Sequence, residues 1–198
     1  MSISTKRVLM KVTLALSFAI LSFAHASAQL TTIYSDFATP PAPLYNSSSG
    51  WLVSGSASPY GAYAEAMAFT PTVTRKLDFV DVAMSYYSGS PLFNVELRKD
   101  CGGLPCGGPA MYTWTAMTAT FTYGTCCGIE RTPTDADQAA FAGRQYWIVA
   151  SVKPGSDAAL VWNMNNIGAT GNLALSTDGG LSWTHYSAQL AAFDALGH

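Results

Sequence analysis

The sequence predicts an all-β fold, an antiparallel β-sandwich that is jelly-roll-like and has at most one short helix. Charged residues make up only 11% of the 198-residue chain, while 12% of it is aromatic, and this composition is typical of β-rich extracellular proteins. Turn sequences rich in Gly, Pro, Ser and Asn recur about every ten residues and separate short apolar or alternating runs, which is the pattern of a sandwich. Few segments show helical spacing.

The first element, residues 1–28, has the features of a cleavable secretory signal. Three basic residues precede an apolar run from Val12 to Ala24, and a triplet of small residues ends at Ala28, which is the order that signal peptidase reads. The run is shorter than the roughly 20 residues that a membrane span needs. We therefore expect cleavage near Ala28, no stable membrane insertion, and a secreted mature chain, extracellular or periplasmic, that forms a single β-sandwich domain over 29–198.

The mature chain is acidic. After Ala28 it keeps seven basic and twelve acidic residues, and the basic ones are scattered along the sequence. Nucleic-acid-binding proteins concentrate positive charge on one face, so we exclude nucleic acid as a partner. The candidate partners are extracellular glycans or a cell-surface polymer.

Short segments between the turns have the character of strands. Residues 93–98 alternate apolar and polar side chains, which predicts a strand with one buried and one wet face, whereas 145–150 are almost all apolar, as in a central strand. Residues 134–142 are the one candidate helix, with Thr134 or Asp135 as its N-cap. The other predicted strands cover 62–68, 77–86, 110–119, 159–164 and 190–196.

Four cysteines occur as two close pairs, Cys101 with Cys106 and Cys126 with Cys127. Exported proteins form disulfides, and a strand over 110–119 would place the pairs about 30 Å apart, so we expect local pairing and a Cys101–Cys106 bond. A Cys126–Cys127 bond requires strain, because neighbouring Cα atoms are only about 3.8 Å apart, and two free thiols are the alternative. No histidine is spaced with the cysteines as a zinc ligand would be, so we expect no metal and no cofactor.

The segment 176–183 matches the Asp-box pattern S-x-D-x-G-x-x-W through Ser176, Asp178, Gly180 and Trp183. In such a turn the aspartate accepts backbone N–H bonds, the glycine allows positive φ, and the tryptophan folds back as an apolar plug. The segment resembles the hairpins of sialidases and other β-propellers, in which the motif recurs and is structural. One copy in a chain of this length does not build a propeller, so we expect a structural hairpin.

Groups suited to nucleophilic catalysis are few. Hydrolysis by a nucleophile needs an adjacent base, usually histidine, and the mature chain holds only His185 and His198. His185 lies two residues past Trp183 and is predicted to be on a sheet surface, while His198 is the last residue. The sequence contains no G-x-S-x-G elbow.

Two pairs of carboxylates lie close enough in sequence to be considered for glycosidase chemistry. Asp78 and Asp81 fall on opposite faces of an ideal strand, so we expect them not to converge. Asp135 and Asp137 fit the N-terminus of the candidate helix, where the helix dipole stabilises acids. Four further residues offer oxygens to a calcium ion but lack the D-x-D-x-D-G spacing of a calcium loop: Asp157, Asn163, Asn165 and Asn166.

Aromatic side chains are the best candidates for contact with a ligand, because flat rings stack on the faces of pyranose sugars. A concave sheet face with two or more such rings, exposed and coplanar, would favour sugar binding. Three tryptophans lie in apolar strand contexts and are predicted to be core: Trp114, Trp147 and Trp162. Four aromatics are predicted to be exposed and ligand-facing: Trp51, Tyr60, Tyr86 and Tyr87.

Seven segments, spread over nearly all of 31–197, share a family pattern. They are IYSDF at 33–37, SGW at 49–51, MAFTP at 67–71, the stretch 97–105 with its Gly-Gly-Leu-Pro centre, GRQYWIVA at 143–150, the Asp box at 176–183 and AFDALG at 192–197. In these segments the chain resembles the bacterial choice-of-anchor extracellular domains, and the subgroup that it most resembles is the R type.

The resemblance implies a secreted sandwich domain of undefined activity that is joined to a surface-sorting tail, and it brings no catalytic residues. This chain ends at its last predicted strand without an apolar tail or a sorting motif, and no cysteine follows the signal to take a lipid, so we expect no anchor. The predicted function is a non-enzymatic structural or binding role outside the cell. The alternatives are a carbohydrate-binding or adhesive module and a small secreted hydrolase.

Overall fold

The computed structural model describes residues 29–133 and 138–198, and these two ranges contain fifteen strands and no helix. The predicted all-β, antiparallel β-sandwich is confirmed. The strands are β1 (Thr31–Ser35), β2 (Tyr45–Ser54), β3 (Ala64–Phe69), β4 (Arg75–Val82), β5 (Met84–Ser88), β6 (Leu92–Lys99), β7 (Tyr112–Thr118), β8 (Phe121–Thr122), β9 (Glu130–Arg131), β10 (Gln138–Ala140), β11 (Tyr146–Ser151), β12 (Ala159–Asn165), β13 (Thr170–Ser176), β14 (Thr184–Gln189) and β15 (Phe193–Gly197).

One layer of the sandwich is a six-stranded antiparallel sheet with the order β14-β13-β3-β11-β6-β7. Its central strands β3 and β11 are buried along almost their whole length. Because side chains alternate along a strand, Met67 and Ile148, which are opposite in register, point into the sandwich, while Ala68 and Trp147, also opposite, point outward.

The other layer consists of two smaller sheets that meet at Ala83. One has the order β1-β15-β4-β10, with β9 also beside β4, and the other has the order β2-β12-β5-β8. The predicted strand over 77–86 is two strands, β4 and β5, separated at Ala83. The Ala83 N–H donates to Ala192 (3.1 Å), and its carbonyl accepts from the Asn163 N–H (2.9 Å), so the two sheets are hydrogen-bonded where the chain passes between them. The short β5–β8 pair is parallel.

The main core lies between the layers and takes apolar side chains from all three sheets. Phe69 of the six-stranded sheet packs edge-on against Phe193 of the opposite layer, with centroids 5.9 Å apart, and Phe193 meets Trp162 at 6.0 Å. Trp147 belongs to a second, smaller cluster on the outer face of the six-stranded sheet. The three tryptophans predicted to be core, Trp114, Trp147 and Trp162, are all buried.

The candidate helix over 134–142 is wrong in its second half. Residues 138–140 form β10, which pairs antiparallel with β4 so that Gln138 is opposite Leu77. The open edge of β4 supplies backbone partners to this segment, and that pairing replaces the hydrogen bonds within a helix. Residues 134–137, with Asp135 and Asp137, lie outside the described residues, as does the predicted signal 1–28. The described part of the chain holds no helix that could span a membrane.

Candidate functional site

The Asp-box segment forms a closed hairpin between β13 and β14. The Asp178 carboxylate accepts bonds from the backbone N–H groups of Leu181 (3.0 Å) and Ser182 (2.9 Å), and from the hydroxyls of Ser176 (2.6 Å) and Ser182 (2.5 Å). The hydrogen bonds from Ser176 and Ser182 lower the pKa of Asp178. The carboxylate is therefore occupied by its own turn, as in a structural hairpin.

The other Asp-box residues complete the turn and fix it to the sheet. Gly180 has φ +97°, a conformation that glycine adopts without steric cost, and its N–H donates to Ser176 Oγ (2.7 Å). Trp183 is half-buried and packs against the outer apolar cluster that contains Trp147. The hairpin thus covers the outer face of the six-stranded sheet.

The first cysteine pair closes a loop over the same face. Cys101 and Cys106 are bonded, with Cα atoms 4.9 Å apart, as local pairing predicts. The Cys101 N–H donates to the Leu104 carbonyl (2.8 Å), and the Cys106 N–H donates to the Lys99 carbonyl (3.0 Å). Leu104 at the centre of the loop packs against the cluster around Trp147, so this loop and the Asp-box hairpin cover that tryptophan together.

The second cysteine pair is a disulfide between neighbours, Cys126 and Cys127, and none of the four cysteines is free. Of the two alternatives that the sequence left open, the structure shows the vicinal bond. Hydrogen bonds hold the segment against the start of β2: the Gly124 N–H donates to the Ser47 carbonyl (3.0 Å), and the Gly128 N–H donates to Tyr45 Oη (2.9 Å). The vicinal disulfide therefore lies in a loop that is held against β2.

Three tyrosines, Tyr60, Tyr87 and Tyr123, gather at the surface and are called here the tyrosine patch. Tyr87 lies on β5, Tyr60 on the loop after β2, and Tyr123 directly after β8. The ring of Tyr87 lies 6.0 Å from that of Tyr60 and 6.1 Å from that of Tyr123. Tyr60 is 44% exposed and Tyr87 50%, so the patch faces solvent.

The rings of the patch are steeply inclined to one another, at 69° between Tyr60 and Tyr87 and 67° between Tyr87 and Tyr123. The patch is therefore a corner and not the coplanar platform that would favour stacking along a sugar chain. Tyr123 is held in place at both ends, because its backbone N–H donates to the Tyr86 carbonyl (2.8 Å) and its hydroxyl donates to the Ser48 carbonyl (2.6 Å).

For two of the four aromatics predicted to be ligand-facing, Trp51 and Tyr86, the structure corrects the prediction. Both are half-buried and pack against the main core, and Trp51 Nε1 donates to the Gln189 carbonyl (3.1 Å). The reason is strand alternation: Tyr86 points inward with Met84, so its neighbour Tyr87 points outward. Tyr123 was missed, because the two-residue strand β8 that brings it beside Tyr87 has no recognisable sequence pattern.

A cavity of about 630 Å³ lies beyond the turn that follows Tyr87. The turn is fixed by the Ser90 N–H, which donates to Asp157 Oδ1 (3.0 Å). Ala116, which lines the cavity, has φ +57°, a left-handed conformation that non-glycine residues rarely adopt. Its N–H donates to Asn94 Oδ1 (3.1 Å), which holds this bulge of β7 in place.

The histidines and aspartates considered for hydrolysis have other partners. His185 is exposed, and its Nε2 contacts the amide oxygen of Asn172 (3.2 Å), not a hydroxyl. Asp78 pairs with His198 (2.7 Å), while Asp81 pairs with Arg131 (2.6 Å). Asp78 and Asp81 thus have separate partners, as strand alternation predicts.

The structure shows a carboxylate pair that sequence reasoning missed, because its members come from distant strands. Asp81 on β4 is directly opposite Asp194 on β15. Burial, followed by the charge of Asp81, raises the pKa of Asp194 to about 7. Arg131 donates to both oxygens of Asp81 (2.7 and 2.6 Å), so the Asp81 carboxylate is held by a guanidinium and is not free to act as a general base.

The four residues considered for calcium serve the fold instead. Asn163 Nδ2 donates to the Ala83 carbonyl (2.8 Å) and to Ser85 Oγ (2.6 Å). Asn165 Nδ2 donates to two backbone carbonyls, Asn166 Nδ2 donates to one, and Asp157 accepts from the Ser90 N–H. Over residues 29–133 and 138–198 there is no group of three or more His, Cys, Asp or Glu side chains that could hold a metal ion.

Comparison of the chain with protein-family models, with curated proteins and with solved structures finds no match. The resemblance to choice-of-anchor domains therefore stays a prediction. A functional proposal for this chain depends on its own fold and surface chemistry.

Proposed function

We propose that this protein is a secreted, non-enzymatic β-sandwich that binds an extracellular glycan through the tyrosine patch. The observation that carries the proposal is the clustering of Tyr60, Tyr87 and Tyr123, with two rings about half exposed and centroids 6.0 and 6.1 Å apart. Single exposed aromatics are ordinary on protein surfaces, whereas a contiguous group of them marks a binding site.

Tyrosine suits a sugar ligand because it presents an apolar ring face to C–H groups and a hydroxyl to sugar hydroxyls. It also has few rotatable bonds, so its immobilisation on binding costs little entropy. The inclined rings form a corner that contacts one sugar ring on two sides, in place of a row of parallel rings along a chain. Because Tyr123 is already fixed by its bonds to Tyr86 and Ser48, part of the site is ordered before ligand binds.

Export is the second part of the proposal. It is supported by the signal features of 1–28 and by the two disulfides, which persist in oxidising compartments. We propose cleavage near Ala28 and a working location outside the cell or in the periplasm. The resemblance to choice-of-anchor domains agrees with that location.

The third part of the proposal is that the protein is not an enzyme. His185 contacts an amide, Asp78 is paired with His198, and Asp81 is paired with Arg131. A nucleophile–base pair needs both groups within hydrogen-bond reach of each other, and these contacts supply none. They support a binding role over that of a small secreted hydrolase.

A glycan array tests the proposal. The full-length chain is expressed with its own signal, purified after export and labelled; the double variant Tyr60→Ala/Tyr87→Ala is treated identically. Tyr186→Ala is the matched control, because Tyr186 is also 44% exposed but lies on β14 and outside the patch. We expect wild type and the control to bind the same glycans and the double variant to lose them. Failure of wild type to bind any glycan, or equal loss in the control, contradicts the proposal.

A further inference from the structure

A second cavity, of about 530 Å³, lies where β6 ends and β11 begins. Its volume is within the range of small-molecule sites. It is at the opposite ends of β6 and β11 from the cavity of about 630 Å³, whose lining includes Leu92, the first residue of β6. We call it the cationic cavity and define it by five of its lining residues, Lys99, Asp100, Phe141, Arg144 and Gln145.

Within residues 29–133 and 138–198, two positive charges at this cavity have no carboxylate partner. Among the described residues neither Lys99 nor Arg144 forms an ion pair, and Arg144 lies 5.1 Å from the centroid of the Phe141 ring. Two other arginines are neutralised, since Arg98 pairs with Glu96 and Arg131 with Asp81. A solvent-accessible guanidinium beside an aromatic ring suits a carboxylate ligand, which it can bind through two parallel hydrogen bonds.

Asp100 is the one acid among the described residues that line the cavity, and it is already engaged. Its Oδ1 accepts from Gln145 Nε2 (2.7 Å) and Trp147 Nε1 (2.8 Å), and its Oδ2 accepts from the Gly103 N–H (3.2 Å). Burial acts to raise the pKa of Asp100, but these hydrogen bonds outweigh it and lower the pKa. Asp100 thus stays ionised, and the three charged side chains in the described lining of the cavity sum to one positive charge.

The wall of the cavity is held by a row of polar side chains across the outer face of the six-stranded sheet. Gln145 Oε1 accepts from Asn172 Nδ2 (3.1 Å), while Asn172 Oδ1 contacts His185 Nε2 (3.2 Å). Gln145 is therefore bonded on one side to Asp100 and on the other to β13. This arrangement fixes hydrogen-bonding groups next to the two cations, as a preorganised binding site requires.

We infer that the cationic cavity binds a carboxylated sugar, a uronic-acid unit of an extracellular polysaccharide. Lys99 and Arg144 take the carboxylate, Phe141 contacts the apolar face of the ring, and the free lone pairs of Asp100 accept from sugar hydroxyls. The site is separate from the tyrosine patch and does not depend on it.

Titration calorimetry with short uronic-acid oligosaccharides tests the inference. The probes are galacturonate, glucuronate and mannuronate trimers, and each is compared with its neutral methyl ester, which keeps the sugar and removes the charge. We expect at least one acid to bind wild-type protein. Its ester should bind at least about tenfold more weakly. Binding should also weaken as NaCl is raised to about 0.5 M, because exposed charges are screened.

Variants separate this site from the tyrosine patch. Arg144→Gln is expected to weaken acid binding about tenfold. Lys153→Gln removes one positive charge from the other cavity, of about 630 Å³, and should leave the affinity unchanged. Tyr87→Ala should also leave it unchanged, so failure of the tyrosine patch and failure of this site are distinguishable. The inference is overturned if none of the acids binds, if the esters bind equally, or if Lys153→Gln has the effect of Arg144→Gln.

Discussion

Replacing Glu65 by glutamine should stabilise the protein, and more so as the pH rises. Glu65 lies on β3 and is 1% exposed, and among the described residues its Oε2 has no hydrogen-bond partner. Burial raises its pKa from the ordinary 4.5 to about 9. Glutamine has nearly the same shape as glutamate but no ionisable group. The substitution therefore removes the titration of residue 65 and leaves the packing in place.

The size of the effect follows from linkage between protonation and folding. Because the pKa is raised on folding, the stabilising effect of protonation is complete below pH 4.5 and is lost as the pH rises toward 9. Each pH unit in that interval lowers the stability of wild type by about 1.4 kcal/mol. The free energy of unfolding of Glu65→Gln should therefore exceed that of wild type by up to about 5 kcal/mol at pH 8, and by less than about 1 kcal/mol at pH 5.

Urea unfolding followed by tryptophan fluorescence at the two pH values measures this gain. When variant and wild type are compared at the same pH, the contributions of Asp36 and Asp194 to the free energy of unfolding cancel. Burial raises the pKa of each of these two aspartates to about 7. Glu96→Gln is the control, since it makes the same substitution at a glutamate that is paired with Arg98 on the outer face. A gain for Glu65→Gln that is equal at pH 5 and pH 8, or a loss at pH 8, would refute the reasoning.

Two further variants test local features of the fold. Ala116→Gly should raise the free energy of unfolding by about 1 kcal/mol, because φ of +57° is unfavourable for alanine and free for glycine; a lower urea midpoint for this variant would contradict the assigned backbone. Cys101→Ser/Cys106→Ser should lower the free energy of unfolding by about 2 kcal/mol, since the bond closes a short loop with a sequence separation of 5. Mass spectrometry of unreduced peptides should show Cys101 joined to Cys106, and a link from either to Cys126 or Cys127 would contradict the structure.

Local sequence patterns predicted those strands in which the order of apolar and polar residues reflects which side chains are buried. Apolar and polar side chains alternate over residues 93–98, which lie within β6. Residues 145–150 are almost all apolar and overlap the central strand β11. Period-two alternation does not say which face is inside, however. Tyr86 and Tyr87 are adjacent and alike, and only the packing of β5 between β12 and β8 decides that Tyr86 points to the core.

Both candidate binding sites depend on pairings that are distant in sequence. The tyrosine patch gains Tyr123 through the parallel pairing of β8 with β5. The cationic cavity brings together Lys99 and Arg144, which are far apart in the chain and meet because β6 pairs antiparallel with β11. No local pattern encodes such a register, so the sequence indicated the candidate aromatics but not the surfaces that they form.

The affinity of Tyr87 variants for a glycan identified on the array tests the tyrosine patch most directly. Tyr87→Phe keeps the ring and removes the hydroxyl, whereas Tyr87→Ala removes both, so the pair isolates ring contact from hydrogen bonding. In titration calorimetry we expect Tyr87→Ala to bind about tenfold more weakly than wild type, and Tyr87→Phe to retain most of the affinity because the ring makes the main contact. Wild-type affinity in Tyr87→Ala would show that the glycan binds elsewhere and would contradict the proposed function of the patch.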